Sequence, residues 1–250
     1  MRVSRYSLSG RKRRRGVYVL PSFITLANMF VGFFAVINAV GEKYVSAAYL
    51  VLVAGFLDML DGRIARMTKT QTDFGKELDS LSDVVSFGFV PALIVYLYAL
   101  QPLGRLGWLL AFFYTACGAI RLARFNILSG QQNHSIFVGL PIPMAAGLVV
   151  FLILLMPENS PIFPFAVFGA GCLMVSSIPY PSFKQLDVRT MRPTYTMLLM
   201  LLILVIIAYK PIQAMFVLLM IYIVIGPVFW LKGKLFPVRN SLNDESKEES

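Results

Sequence analysis

Long apolar runs divided by short polar links dominate this chain. They lie near positions 19–40, 45–66, 77–100, 106–126, 139–156, 162–178, 194–209 and 212–231. A helix needs roughly 20 apolar residues to cross the hydrocarbon of a bilayer. The pattern therefore predicts an all-α, polytopic membrane bundle of about eight transmembrane helices. The last two runs are short and separated only by Lys210 and Pro211, a spacing compatible with a helical hairpin. The expected organisation is a basic segment over 1–18, a transmembrane catalytic domain over 19–231, and a polar tail over 232–250 that is expected to be disordered. No internal repeat or soluble domain is evident. The first run is too long for a cleaved signal, and no small-residue cleavage site follows it.

The apolar pattern breaks in one informative place. Asp58 and Asp61 stand at the end of the second run, and Asp79 and Asp83 at the start of the third. Ionisable residues in such positions are costly and point to function. Positions three or four apart share a helix face, so each pair faces one way and two adjacent helices can converge all four carboxylates. Left uncompensated, they would repel one another. A hard divalent cation, Mg²⁺ or Mn²⁺, prefers oxygen ligands and removes the conflict. Four carboxylates suffice for one ion with waters or for two ions sharing a ligand. Magnesium commonly completes its shell with substrate phosphate, so a phosphate-bearing substrate is expected.

Composition agrees with the pattern: 57% of the 250 residues are hydrophobic and 14% charged. Charge adds orientation. With the amino terminus in the cytoplasm, all of the 23 lysines and arginines except Lys43, Arg105 and Lys210 fall on the cytoplasmic side. The positive-inside rule then places both termini and the aspartates at the cytoplasmic face of a bacterial-type cell membrane. The net charge of +10 includes the run Arg11 to Arg15. Beside a membrane span this run reads as a topology determinant that also touches anionic lipid, with no nucleic-acid partner. Cys117 and Cys172 lie in apolar runs and show no disulfide or zinc pattern. His134, the one histidine, sits in a polar loop and is given no catalytic role.

Other polar residues gather near the aspartates. Thr25 and Asn28 share a face of the first span and would contact either a neighbouring helix or substrate. Gly62 and Ala65 allow close approach to backbone. Arg66 could hold a phosphate with two hydrogen bonds or reach out to the bilayer surface. The link from Met67 to Phe74 is a candidate lid, with Asp73 a possible cap for the third span. Ser80, Ser82 and Ser86 surround Asp79 and Asp83 as hydrogen-bonding or close-packing groups. Arg121 and Arg124 are positive-inside residues and, three apart, a candidate second anion site. Ser176 to Lys184 is expected to form a cytoplasmic turn after the sixth span.

Written out, the central pattern is Asp58-x2-Asp61-Gly62-x2-Ala65-Arg66-x8-Gly75-x3-Asp79-x3-Asp83. It resembles the signature of the CDP-alcohol phosphatidyltransferase family at every fixed position. Four further segments resemble the serine-using, integral-membrane branch of that family: Pro21 to Asn28, Arg121 to Asn126, Phe137 to Pro143, and Pro179 to Lys184.

The resemblance implies that Asp58, Asp61, Asp79 and Asp83 bind two divalent ions holding the pyrophosphate of CDP-diacylglycerol. It also implies that Gly62, Ala65, Arg66, Thr72 and Gly75 line the cytidine and phosphate site, with Thr25 and Asn28 beside them. Asp83 would be the general base. L-serine would attack the lipid-bearing phosphorus, giving phosphatidylserine and CMP, and the enzyme would be a homodimer. Arg121, Arg124, Asn126 and Lys184 are the candidate acceptor or phosphate contacts. The signature does not choose among acceptors, so inositol, inositol phosphate and glycerol 3-phosphate are rivals to serine. A cation transporter is the rival of another class. It would need polar groups continuing through the midplane, and few are present.

Overall fold

A computed structural model describes residues 19–68, 72–129, 136–181 and 208–235. Helix α1 (Val19–Val40) and α2 (Tyr44–Thr68) form a hairpin around a tight turn at Gly41 and Glu42. Alanines make this possible. Ala35 and Ala39 on α1 and Ala47, Ala48 and Ala54 on α2 are all buried, and small side chains let membrane helices approach closely. Bulky residues of the same helices, Phe23, Phe30 and Phe56 among them, point outward, as a lipid-facing surface would require.

The third helical stretch starts as α3 (Asp73–Asp83). It continues through a π-helical turn, Val84–Phe89, into α4 (Val90–Val95). A second π-helical turn, Tyr96–Leu100, and a 3-10 turn, Gln101–Leu103, finish it. The first π turn has a visible cause. Pro91 has no N–H to donate to the carbonyl of Phe87. That carbonyl instead accepts from the buried Tyr114 hydroxyl at 3.2 Å, on the neighbouring α5 (Arg105–Ser129).

The remaining described elements are α6 (Ile142–Leu155), α7 (Ile162–Val175) and α8 (Pro211–Leu235). Two short strands, β1 (Ile136–Val138) and β2 (Pro179–Pro181), pair antiparallel with Phe137 opposite Tyr180. Helix α6 is the centre of the bundle, buried on nearly every side from Ala145 to Ile153. Tyr44, Tyr98 and Phe163 pack edge to face at the end of the bundle away from the aspartates, with ring centroids 5.3 and 5.5 Å apart.

Among the described residues, five helices are long and apolar enough to cross a membrane: Ser22–Val40, Tyr44–Ile64, Phe74–Leu103, Arg105–Ile127 and Pro211–Val228. The expected fifth and sixth spans are shorter than their apolar runs, at 14 residues each. At 1.5 Å per residue each is about 21 Å long, short of a hydrocarbon core of about 30 Å. Their ends are lost to extended backbone. Gly139 has φ +80°, its N–H bonds Ile178 O at 2.9 Å, and Leu140 N bonds Leu173 O at 3.0 Å. The apolar residues before α6 and after α7 thus make a ribbon and a backbone clamp, where the sequence suggests helix and turn. The run 194–209 lies outside the described residues apart from its last two, as do the basic segment 1–18, His134 and the tail beyond 235.

Candidate active site

The site is assembled where α1, α2, α3 and α5 meet. Asp58 and Asp61 come from the last turns of α2, and Asp79 and Asp83 from α3. Carboxylate oxygens of Asp58, Asp61 and Asp79 lie within 4.8 Å of one another. Asp83 stands beside them with its carboxylate against that of Asp58. The expected convergence of the two helix faces therefore occurs, with three carboxylates grouped and the fourth adjoining.

Neighbours fix this geometry. Thr25 on α1 donates its hydroxyl to Asp61 Oδ2 at 2.9 Å, and Asp61 is only 3% exposed. Ser82, on the turn between Asp79 and Asp83, donates to the backbone carbonyl of Thr25 at 3.2 Å. Gly32, two turns further along α1, lies so close to Ser86 that a Cβ there would meet its Oγ at 3.0 Å. Glycine and serine at this seam let α1 lie flat on the start of the third helix, and that contact carries Thr25 to Asp61. Thr72 caps α3: its side chain accepts from Gly75 N at 3.0 Å. The cap is thus Thr72, one residue before the expected Asp73, and Gly75 is its partner.

Several polar atoms of the site have no partner within the protein. Asp79 Oδ1 and Asp83 Oδ1 are buried without a hydrogen bond, as are both amide atoms of the fully buried Asn28 and the hydroxyl of Ser86. Buried polar atoms are nearly always satisfied, so a cluster of exceptions calls for a ligand, ion or water. The donor set around the grouped aspartates is all oxygen, which fits Mg²⁺ or Mn²⁺ and not a softer metal.

The other expected contacts are distributed as follows. Gly62 follows Asp61 and has open space where a side chain would be. Ala65 and Arg66 lie in the last turns of α2, and their side chains fall outside the described residues. Arg121 and Arg124 separate. Arg121 is 9% exposed, its guanidinium lies 5.9 Å from the ring centroid of Phe125, and its Nε has no hydrogen-bond partner. Arg124 is exposed and donates to Val175 O at 3.4 Å, at the carboxyl end of α7, where a cation is favourable. Asn126 donates to Ser80 Oγ at 2.9 Å and ties the end of α5 to α3. Lys184 lies outside the described residues.

The sequence pattern did not point to Tyr222 on α8. Like Asp83, Tyr222 lies within electrostatic reach of Arg121. Its only signal was a hydroxyl-bearing ring within an otherwise apolar span.

Comparison with known proteins gives the family. Residues 18–179 match the family model described as CDP-alcohol phosphatidyltransferase. A CDP-diacylglycerol–serine O-phosphatidyltransferase of Helicobacter pylori is 36% identical over 222 residues, covering 86% of this chain and 92% of the relative. The enzyme of that name from Bacillus subtilis is 37% identical over 166 residues, covering 66% and 92%. An archaetidylserine synthase of Methanothermobacter thermautotrophicus is 33% identical over 181 residues, covering 72% and 76%. With residues 18–179 matched by the family model and most of its length matched by these relatives, the chain belongs to the CDP-alcohol phosphatidyltransferase family.

Proposed function

We propose that this protein is a membrane phosphatidyltransferase that makes phosphatidylserine and CMP from CDP-diacylglycerol and L-serine. The observation that carries the reading is the convergence of Asp58, Asp61 and Asp79, with Asp83 against Asp58, in a chain most of whose length matches relatives named for that reaction.

The residues divide the work. Asp58, Asp61 and Asp79, with Asp83 adjoining, hold Mg²⁺ or Mn²⁺, and four carboxylates can accommodate two ions. When bound, such ions offset the charge of a pyrophosphate and of the departing CMP. Thr25 keeps Asp61 in its binding orientation through the bond to Oδ2. Gly62 leaves open space for the CDP group beside the aspartates, with Ala65 and Arg66 following on the same helix and Thr72 and Gly75 across the link. Asn28 offers an unpaired donor and acceptor from the α1 side.

The acceptor hydroxyl must lose its proton as its oxygen attacks phosphorus. Asp83 receives that proton as general base. The new bond joins the serine oxygen to the lipid-bearing phosphorus, and the bond from that phosphorus to the oxygen of CMP breaks. Phosphoryl chemistry of this kind depends mainly on positioning and charge.

Among the candidate anion contacts, Arg121 is best placed for the serine carboxylate. It is buried, with an unpaired Nε and within electrostatic reach of Asp83, whereas Arg124 is turned to the end of α7. The bilayer holds the acyl chains, the aspartates face the cytoplasm, and the enzyme works as a homodimer.

The test is an assay on full-length protein in detergent with CDP-diacylglycerol, Mg²⁺ or Mn²⁺, and labelled serine, inositol or glycerol 3-phosphate. We expect phosphatidylserine and CMP with serine, none after chelation by EDTA, and recovery when metal is returned. Asp83→Asn is expected to lower kcat by a factor on the order of 10²–10⁴. Product from another acceptor would overturn the serine assignment and leave the metal site. Full activity in Asp83→Asn would remove Asp83 as base.

A further inference from the structure

The third helical stretch changes geometry directly after Asp83. Asp83 is the residue before the π turn Val84–Phe89, and the N–H of Val90 bonds back five residues to Val85 O. A turn of this kind takes up one residue more than an α turn. Both sides of it are fixed to neighbours. Before it, Ser82 donates to Thr25 O at 3.2 Å, on the residue whose hydroxyl holds Asp61. After it, Val90, Ile94 and Val95 are fully buried in the bundle. Successive residues of an α-helix are about 100° apart. If the stretch closed to plain α geometry, the aspartate face would therefore turn by about that angle against the buried face of α4.

The turn is held from another helix. Pro91 leaves Phe87 O without its α-helical donor. Tyr114, fully buried on α5, donates its hydroxyl to that carbonyl at 3.2 Å. The next carbonyl, Gly88 O, lies 3.4 Å from the Thr115 hydroxyl, which also meets Ala111 O on its own helix at 3.1 Å. Tyr114 thus supplies the firmer bond.

Resting on the metal and base roles given above, we propose that Tyr114 is a positioning residue for the aspartates of α3. Its hydroxyl keeps the turn in π geometry, and that geometry sets the rotation at which Asp79 and Asp83 meet Asp58 and Asp61. Tyr114 acts through Phe87 O and one wide turn of backbone. A buried carbonyl that loses its donor is unfavourable, and the stretch relieves this by re-pairing its backbone, which turns α3. Ion-binding carboxylates tolerate little misdirection: partners that only orient ligands are worth on the order of 10–100-fold in affinity or activity.

The test combines Mn²⁺ binding, read by electron paramagnetic resonance of the free ion, with steady-state kinetics. Both use full-length protein in detergent, as wild type, Tyr114→Phe and Tyr98→Phe. Tyr114→Phe keeps the ring and removes only the donor. We expect Mn²⁺ binding about tenfold weaker, kcat at saturating Mn²⁺ about tenfold lower, and KM for serine within about twofold. Tyr98→Phe is the matched control. Its hydroxyl also donates to a backbone carbonyl, Met156 O at 2.8 Å, from the second π turn at the far end of the same stretch. That variant is expected to bind Mn²⁺ like wild type.

Unchanged Mn²⁺ binding and kcat in Tyr114→Phe, or an equal loss in Tyr98→Phe, would overturn the proposal. If Tyr114→Phe fails to fold, its combination with Pro91→Ala decides. The backbone N–H returned at position 91 serves Phe87 O in place of the hydroxyl. The fold is then expected to recover while the turn closes to α geometry and Mn²⁺ binding stays weak. Wild-type Mn²⁺ affinity in that double variant would also overturn the proposal. If wild type binds Mn²⁺ but transfers to an acceptor other than serine, the serine reading fails by itself and the Mn²⁺ comparison decides Tyr114 as before. A wild type that binds no Mn²⁺ would sink the metal site and this role together.

Discussion

Thr25 is a neutral side chain that acts on a charged one. Its hydroxyl donates to Asp61 Oδ2 at 2.9 Å inside a buried seam, where water is a poor substitute. Thr25→Val keeps the shape and removes the donor. The Mn²⁺ concentration giving half-maximal activity is expected to rise about tenfold, in the range seen when ligand-orienting partners are lost. An unchanged requirement would mean that helix packing alone orients Asp61. The sequence showed that Thr25 and Asn28 share a face and left open whether they meet a helix or a substrate. Thr25 proves to meet a helix neighbour through Asp61, whereas both amide atoms of Asn28 remain unpaired. No spacing rule could separate them, because the difference depends on the height at which α2 crosses α1.

At the level of elements, two glycines give opposite expectations. Gly139 has φ +80°, and a Cβ there would collide with Met174 O at the end of α7. Gly139→Ala therefore strains the backbone and opposes the clamp between the β ribbon and α7. A loss of about 1–3 kcal/mol is expected, read as a lower unfolding temperature in detergent. Gly62 has nothing within 4 Å of its Cβ position. Gly62→Ala is expected to melt like wild type and to show a higher KM for CDP-diacylglycerol, because the added methyl enters substrate space. Equal melting of both variants would refute the reading of Gly139, and an unchanged KM would refute that of Gly62. The helices were legible because apolar runs of spanning length have few alternatives in a bilayer. The π turn after Asp83 and the shortened α6 and α7 were not. The turn needs Pro91 together with a hydroxyl from α5, and the shortening needs a strand pair joined across 40 residues of chain.

For the whole molecule, the distribution of lysine and arginine predicts the side on which the chemistry happens. Single cysteines introduced at Thr72 and at Lys43, in a background lacking Cys117 and Cys172, test it in intact cells. A membrane-impermeant thiol reagent is expected to label the Lys43 position from outside and the Thr72 position only after permeabilisation. The reverse pattern would place the site on the outer face. The sequence by itself determined the membrane class, most of the helices, the pairing of the aspartates, and the family signature. Each of these is written in local spacing and composition, which hydrocarbon thickness and helix periodicity translate directly. Only the tertiary structure decided which polar groups became partners: Thr25 with Asp61, Arg124 with α7, Asn126 with Ser80. Such choices depend on the rotation and depth of helices far apart in the chain, which are fixed by small-residue seams and buried rings acting together.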